Sequence, residues 1–321
     1  AKPAEQTSLV AYRAVQLMHE AGVPGAALNF VPGLGPDVAQ HVLPDPRVAG
    51  VAFTGSTETA QIINRALAAR SGPIAALIAE TGGQNAMLVD SSALPEQVVH
   101  DAVTSAFNSA GQRCSALRVL FLQEDVADRT IELLKGYMDQ LVIGDPAYLR
   151  TDVGPVIDEE ALGILEAHAA KIAGIGRVIH RCGLGGETGN GHFFAPMAVE
   201  IDSLSQLERE VFGPIMHIVR YKARDLEKII EDINGTGYGL TLGVHTRIDS
   251  RSREIARRAA VGNVYVNRNI VGAVVGVQPF GGRGLSGTGP KAGGPDYLHR
   301  YCSERTVTIN TSAVGGNASL L

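Results

Sequence analysis

The sequence predicts an α/β fold, and three observations carry that expectation. Helix and strand signals alternate along most of the chain, a Gly-Gly pair divides the alternation into two runs, and the composition holds 38 glycines and no tryptophan. Alternation of this kind is the rhythm of βαβ units and parallel sheets. Abundant glycine suits a backbone that turns tightly around ligands, as a supporting sign only.

Taken in order, an amphipathic stretch at 5–20 predicts a helix, an apolar run at 26–31 a strand, 36–42 a short helix and 50–53 a strand. A further helix is expected from near Ser56 to about Arg70, with Thr57 and Glu58 favouring its first turn, and then an apolar strand at 74–79. Gly82-Gly83 interrupts the pattern. It resumes at Asn85 with a strand at 86–89, a helix at 95–110 opened by Pro95, a loop at 111–115, a strand at 117–122 and a helix at 126–141. Later helices are expected at 159–173, 226–233 and 250–260, and strands at 216–221 and 263–266. After Gly284 the chain turns rich in Gly and Pro, and 306–310 alternates like an edge strand able to pair with another subunit.

Composition narrows the function classes. A chain of 321 residues, 45% hydrophobic and 19% charged, can bury a sizeable core. A net charge of −5 and a pI near 6.0 supply no basic field for nucleic acid. Apolar stretches break well short of the roughly 18 residues that a membrane span needs, and no signal-peptide pattern opens the chain, so a soluble, cytoplasmic protein is expected. Cys114, Cys182 and Cys302 are an odd set without C-x-x-C spacing, which argues against a disulfide framework or a zinc knuckle and leaves room for one reactive thiol. The nine histidines show no metal-ligand spacing, and no metal is expected.

Cys114 lies in Gly111-Gln112-Arg113-Cys114-Ser115, a glycine-led loop between an expected helix and an expected strand, where a thiol can be exposed. Arg113 beside it is expected to favour the thiolate, the form that attacks carbonyl carbon. A lone cysteine is more often a buried packing residue, and three other features shift the balance. Glu80 ends an apolar strand ahead of Thr81-Gly82-Gly83, where a carboxylate can swing toward a ligand and serve as a general base. Phe53-Thr54-Gly55-Ser56-Thr57 is a strand-to-helix turn whose N–H groups suit a phosphate, although Ala60 stands where the dinucleotide fingerprint would carry its last glycine. Glu210-Val211-Phe212-Gly213-Pro214 offers a carboxylate for ribose hydroxyls and an aromatic wall for a planar ring, and alone reads as an ordinary loop.

In company these segments become recognisable. Lys2-Pro3-Ala4-Glu5, FTGS at 53–56, ETGG at 80–83, GQRCS at 111–115, EVFGP at 210–214 and PFGG at 279–282 resemble the motifs of aldehyde dehydrogenases, in the same order, and the 34 residues from Glu80 to Cys114 resemble that family's spacing. The resemblance implies NAD as cofactor and an aldehyde as substrate. Lys2 and Glu5 would bind the adenosine ribose, Gly55 and Ser56 the pyrophosphate, and Glu210 the nicotinamide ribose, with Phe212 beside the nicotinamide. Cys114 would add to the aldehyde and Glu80 would activate the hydrolytic water. Glu5 leans toward NAD over NADP, because a carboxylate repels a 2′-phosphate. The resemblance also implies an aldehyde dehydrogenase-like architecture: the C-terminal part of a Rossmann-type NAD-binding domain at 1–82, an α/β catalytic domain at 83–283 and an oligomerisation tail at 284–321. The family's oxyanion-hole Asn lies upstream of the Lys-Pro motif, and only Ala1 precedes Lys2. An N-terminally incomplete piece of a longer polypeptide is therefore expected, weakly active or inactive alone, since losing one oxyanion donor typically costs about 100-fold or more in rate.

Substrate choice falls to the loop at 267–282. Gly272 and Ala273 can present bare backbone N–H groups to an anion, and Ser115 can add a hydroxyl donor beside the nucleophile. This loop, the Gly-Pro-rich stretch at 285–295, Thr308-Ile309-Asn310-Thr311 and Gly315-Gly316-Asn317-Ala318 resemble the L-glutamate γ-semialdehyde dehydrogenase branch, and within it the dehydrogenase module of bifunctional proline utilization A. In that branch Arg113, Ser115, Gly272 and Ala273 would surround the substrate carboxylate and Phe280 its aliphatic stem. The resemblance leaves room for a proline dehydrogenase domain in the parent chain and for a homo-oligomer. Three other readings stay open: a dehydrogenase of another ω-semialdehyde, for which an Arg anchor is more natural; a non-catalytic assembly module; and a cysteine hydrolase.

Overall fold

The structure, a computed structural model, describes residues 1–274 and 276–310. Val275 and residues 311–321, with Thr311 and the expected Gly315-Gly316-Asn317-Ala318 motif, lie outside the described residues.

After one 3-10 turn at Glu5–Thr7 come α1 (Ser8–Glu20) and α2 (Gly35–Val42). The apolar run at 26–31 is a correction: it forms no strand. Its sheet-like contact is with Ala1 alone, which donates to the Asn29 carbonyl at 2.6 Å and accepts from the Val31 N–H at 3.0 Å. One residue does not make a ladder. Next, β1 (Gly50–Thr54), α3 (Thr57–Ala69) and β2 (Ala76–Glu80) form a βαβ unit whose two strands pair in parallel, Thr54 opposite Glu80. Ser56 caps α3, its hydroxyl accepting from the Thr59 N–H at 3.1 Å, which sets the helix start where the sequence places it.

The remainder forms a seven-stranded sheet with helices around it. Its elements are β3 (Ala86–Val89), α4 (Pro95–Phe107), β4 (Val119–Gln123), α5 (Glu124–Met138), α6 (Glu159–Ile175), β5 (Arg177–Arg181), β6 (Met197–Glu200), β7 (Ile215–Tyr221) and α7 (Leu226–Gly235). They continue with β8 (Tyr238–Gly239), β9 (Thr241–His245), α8 (Asp249–Arg258), β10 (Asn263–Val266) and β11 (Arg283–Gly284). The strand order is β10-β9-β3-β4-β7-β6-β5, parallel throughout except for the antiparallel edge strand β5. β3 and β4 are buried along their whole length, which is why they read as unbroken apolar runs rather than alternating ones.

β8 and β11 pair separately, and the segment after β11 returns to β2. There Thr288 N–H donates to the Ala79 carbonyl at 2.9 Å and Thr81 N–H to the Ser286 carbonyl at 3.0 Å. The stretch at 306–310, expected to be a strand, forms none within the chain and is exposed. Among the described residues no helix is long and apolar enough to cross a membrane.

Candidate active site

The loop bearing Cys114 starts where α4 stops early. The helix expected to run to 110 ends at Phe107, because Ser109 and Ala110 turn into the left-handed region at φ 55° and 53°, and Gly111 follows at φ +65°. Such a conformation costs a side-chain-bearing residue roughly 1–2 kcal/mol, so neighbouring structure must hold it. At Gly111 a Cβ would stand 2.3 Å from the Gly213 carbonyl oxygen, which brings GQRCS directly against EVFGP.

Two buried side chains, both missed by sequence reasoning, fasten this loop. Asn85 donates from Nδ2 to the carbonyls of Cys114 at 2.7 Å and Ala116 at 2.9 Å, and its Oδ1 accepts from the Thr241 N–H of β9 at 3.1 Å. Arg118, 2% exposed, donates from Nη1 to the carbonyls of Gly111 at 2.8 Å and Gly213 at 3.1 Å, and from Nη2 to the Arg113 carbonyl at 3.2 Å. The same guanidinium reaches Glu210 Oε1 from Nη2 at 3.0 Å and from Nε at 3.3 Å, and lies 5.1 Å from the Phe212 ring centre. The one available signal for Arg118 was a charge at the head of an otherwise apolar strand.

Glu210 is thereby held inside the protein, its Oε2 accepting from the Gly83 N–H at 3.0 Å. A Cβ on Gly82 would fall 1.6 Å from that oxygen, so ETGG carries glycine where the carboxylate of EVFGP lies. Burial pushes the Glu210 carboxyl up, and Arg118 opposes the shift.

The expectation that Arg113 promotes the thiolate is corrected. Burial pushes the Cys114 thiol up, followed by the charges of Glu210 and Glu80, and the thiol is the resting form at neutral pH. Arg113 turns aside: its Nε donates to Ser109 Oγ at 3.0 Å, and its Nη1 is 3.7 Å from where a Cβ on Gly272 would stand. Sequence adjacency to the sulfur did not become electrostatic adjacency.

Glu80, at the end of β2, meets the PFGG loop. Its Oε2 accepts from the Gly282 N–H at 3.0 Å, while Oε1 is buried without a hydrogen-bond partner. Burial raises this carboxyl to about 7, against the opposing Gly282 N–H and the Lys291 charge. Lys291 is itself held by the Gly262 carbonyl and by Asn263 Oδ1 at 3.0 Å. A carboxyl half-ionised near neutrality suits a general base.

One cleft of about 1390 Å³ gathers these groups. Gly55, Ser56, Glu210 and Phe212 line it together with Cys114 and Glu80, and so do Arg113, Ser115, Gly272, Ala273 and Phe280. The Gly55 N–H is used by the Glu80 carbonyl at 3.1 Å, and Thr57 and Glu58 at the start of α3 also line the cleft. Lys2 and Glu5 do not line the cleft. They pair with each other at 2.8 Å, and Glu5 accepts from the Gly35 N–H at 2.7 Å. Sequence reasoning also missed the wall that α6 supplies through Ala161, Ile164, His168 and Lys171. Among the described residues no group of three His, Cys, Asp or Glu side chains could hold a metal ion.

The family model for the aldehyde dehydrogenase family matches residues 1–307. The chain belongs to that family. Among its aldehyde dehydrogenase relatives, bifunctional protein PutA of Klebsiella aerogenes is 54% identical over 313 residues, 95% of this chain and 24% of the relative. The 1-pyrroline-5-carboxylate dehydrogenase of Geobacillus kaustophilus is 38% identical over 314 residues, 96% of this chain and 60% of the relative. A crystal structure of bifunctional proline utilization A superposes with a TM-score of 0.94 at 58% identity, covering 98% of this chain and 32% of that one. A solved 1-pyrroline-5-carboxylate dehydrogenase superposes with a TM-score of 0.87 at 34% identity, covering 94% and 58%. The chain thus spans about a quarter of the length of the PutA relatives it matches.

Proposed function

We propose that this chain carries the chemistry for NAD-dependent oxidation of L-glutamate γ-semialdehyde to L-glutamate. The observation that supports this reading most is the sharing of one cleft by Cys114, Glu80, a nucleotide-facing turn and the Gly272-Ala273 loop. The residues fit a dinucleotide: a helix N-terminus at α3 for its pyrophosphate, the Glu210 carboxylate for its ribose and the half-exposed Phe212 ring for its planar base. When bound, NAD would supply the hydride acceptor. Lys2 and Glu5 are proposed for its adenosine ribose. Relatives named PutA and 1-pyrroline-5-carboxylate dehydrogenase support the substrate assignment.

The Cys114 thiol gives up its proton to solvent as Sγ adds to the aldehyde carbon, giving a thiohemiacetal oxyanion that its own backbone N–H is proposed to meet. Loss of hydride from that carbon leaves a thioester on the sulfur. Glu80 takes a proton from water as the water attacks the thioester carbonyl, releasing the carboxylate product and the thiol. Burial raises the Glu80 carboxyl to about 7, which suits this step. At the far end Gly272, at φ +74°, and Ala273 present backbone N–H groups to the substrate carboxylate, with Arg113 and Ser115 beside them and Phe280 along the stem.

NADH absorbance with glutamate γ-semialdehyde tests this on the chain and on Cys114→Ala. A rate that disappears in the variant is expected, and equal, measurable rates in the two would remove the mechanism. A preference for succinate semialdehyde would remove the substrate assignment.

A further inference from the structure

We propose that Arg118 is a positioning residue that ties the nucleophile loop to Glu210 and shields the Cys114 sulfur from the Glu210 charge. The inference rests on Cys114 being the nucleophile of the proposed reaction.

Geometry carries it. The fork of Arg118 spends Nη1 on Gly111 and Gly213, Nη2 on Arg113 and Glu210, and Nε on Glu210. Two of these acceptors lie in the loop that presents the sulfur and two in EVFGP, so one planar, fully buried cation sets the distance between the two motifs. A lysine ammonium cannot reach four acceptors in that plane, and an uncharged side chain leaves the Gly111 carbonyl without its donor and takes one of two donors from the carbonyls of Gly213 and Arg113, which keep the N–H groups of Ile215 and Ala116. Arg118 is also the cation offsetting a carboxylate that disfavours the thiolate. Arg113 and, from α6, His168 and Lys171 share the cleft with Cys114, and the groups coupled to it electrostatically are Glu80 from β2, Glu210 from EVFGP, Tyr265 from β10 and Arg118 itself. Arg118 is the one cation among these four.

Alkylation of Cys114 by iodoacetamide tests this without cofactor or aldehyde, so it succeeds or fails independently of the oxidation assay. Cys302 is exposed, and the measurement uses the full chain in a Cys302→Ser background with Cys114 followed by peptide mass spectrometry. In Arg118→Met the Glu210 charge stands unopposed. The alkylation profile is expected to move to higher pH, with a rate at pH 7.5 at least about tenfold lower, as one unit of thiol pKa implies. Arg118→Lys should fall between. Glu210→Gln should move the profile the other way and speed alkylation, a sign that general loosening of the fold in the Arg118 variants would not predict.

Folded Arg118 variants whose profile matches the parent overturn the proposal. If both Arg118 variants fail to fold, Glu210→Gln decides alone: faster alkylation supports it, and an unmoved or slower rate overturns it.

Discussion

The two ends of the cleft are built differently. On the Cys114 side, the loop rests on the core of the seven-stranded sheet, where β3, β4 and α4 contribute Leu88, Phe121 and Phe107, each at most 1% exposed. Buried polar groups, Asn85 and Arg118, fasten it from above. On the other side, Ile63 and Leu67 of the β1-α3-β2 unit and Leu43 at the end of α2 form a cluster of only three buried residues, and β1 alternates between exposed and half-buried positions. The difference teaches where rigidity is invested. The proposed nucleophile sits on the dense side, while the surface proposed to receive a nucleotide rests on a thin layer.

Truncating the two cores gives the largest contrast. Phe107→Ala is expected to cost about 3–5 kcal/mol, because a 1% exposed ring leaves a cavity that tightly packed neighbours cannot fill. Leu67→Ala, in the thin core, should cost about 2 kcal/mol, since its surroundings collapse more readily. Urea unfolding of both variants checks this, and equal losses would break the comparison. A second contrast is polar. Asn85→Ala leaves the Cys114 and Ala116 carbonyls and the Thr241 N–H without their partner, for an expected loss of about 3 kcal/mol. Ser56→Ala removes one cap from α3 and should cost about 1 kcal/mol. A larger loss at Ser56 than at Asn85 would place the rigid support on the wrong side.

The same contrast governs what could be read from the sequence. β3, β4 and β7 were legible because burial on both faces writes an apolar run into each, and β10 because Val264, Tyr265 and Val266 are strand formers although only one of its faces is buried. β9 was not, because Gly243 breaks its pattern, and the glycine is there for packing: a Cβ would stand 2.9 Å from Ile270 and 3.0 Å from Met87. β5 reads Arg-Val-Ile-His-Arg, a half-exposed edge with little apolar signal. The run at 26–31 was legible as a strand and is not one, because strand formation depends on a neighbour and not on apolar content. Cys114 and Glu80 could be found, each sitting in a short motif. Arg118 could not, since its partner Glu210 is 92 residues away and nothing local to either residue announces the pair. Arg113 misled for the opposite reason, being next to the sulfur in sequence and turned away from it in space.

Glu80 joins the two sides, and its titration gives the smallest and most specific test. It ends β2 of the thin unit but is desolvated by the PFGG loop, with Gly281 and Gly287 packed so closely that a Cβ on either would stand 2.8 Å or 3.1 Å from Oε1. Its folded value of about 7 lies above the 4.5 of a free carboxyl. Between those values the native chain holds a proton that the unfolded chain has released, so stability should fall as pH rises from 4.5 through about 7 and then level off. The effect is modest because solvent still reaches part of the carboxyl. Glu80→Gln keeps the shape and stays neutral, so its advantage over the parent should be absent at pH 4 and grow up to about pH 7. Turnover runs the other way, because only ionised Glu80 can take the proton from water. Parent turnover should rise through the same window, while the variant forms the thioester and stalls. An advantage that does not change with pH would mean that the loop does not desolvate this carboxyl, and the base would then have to be sought among other groups of the cleft.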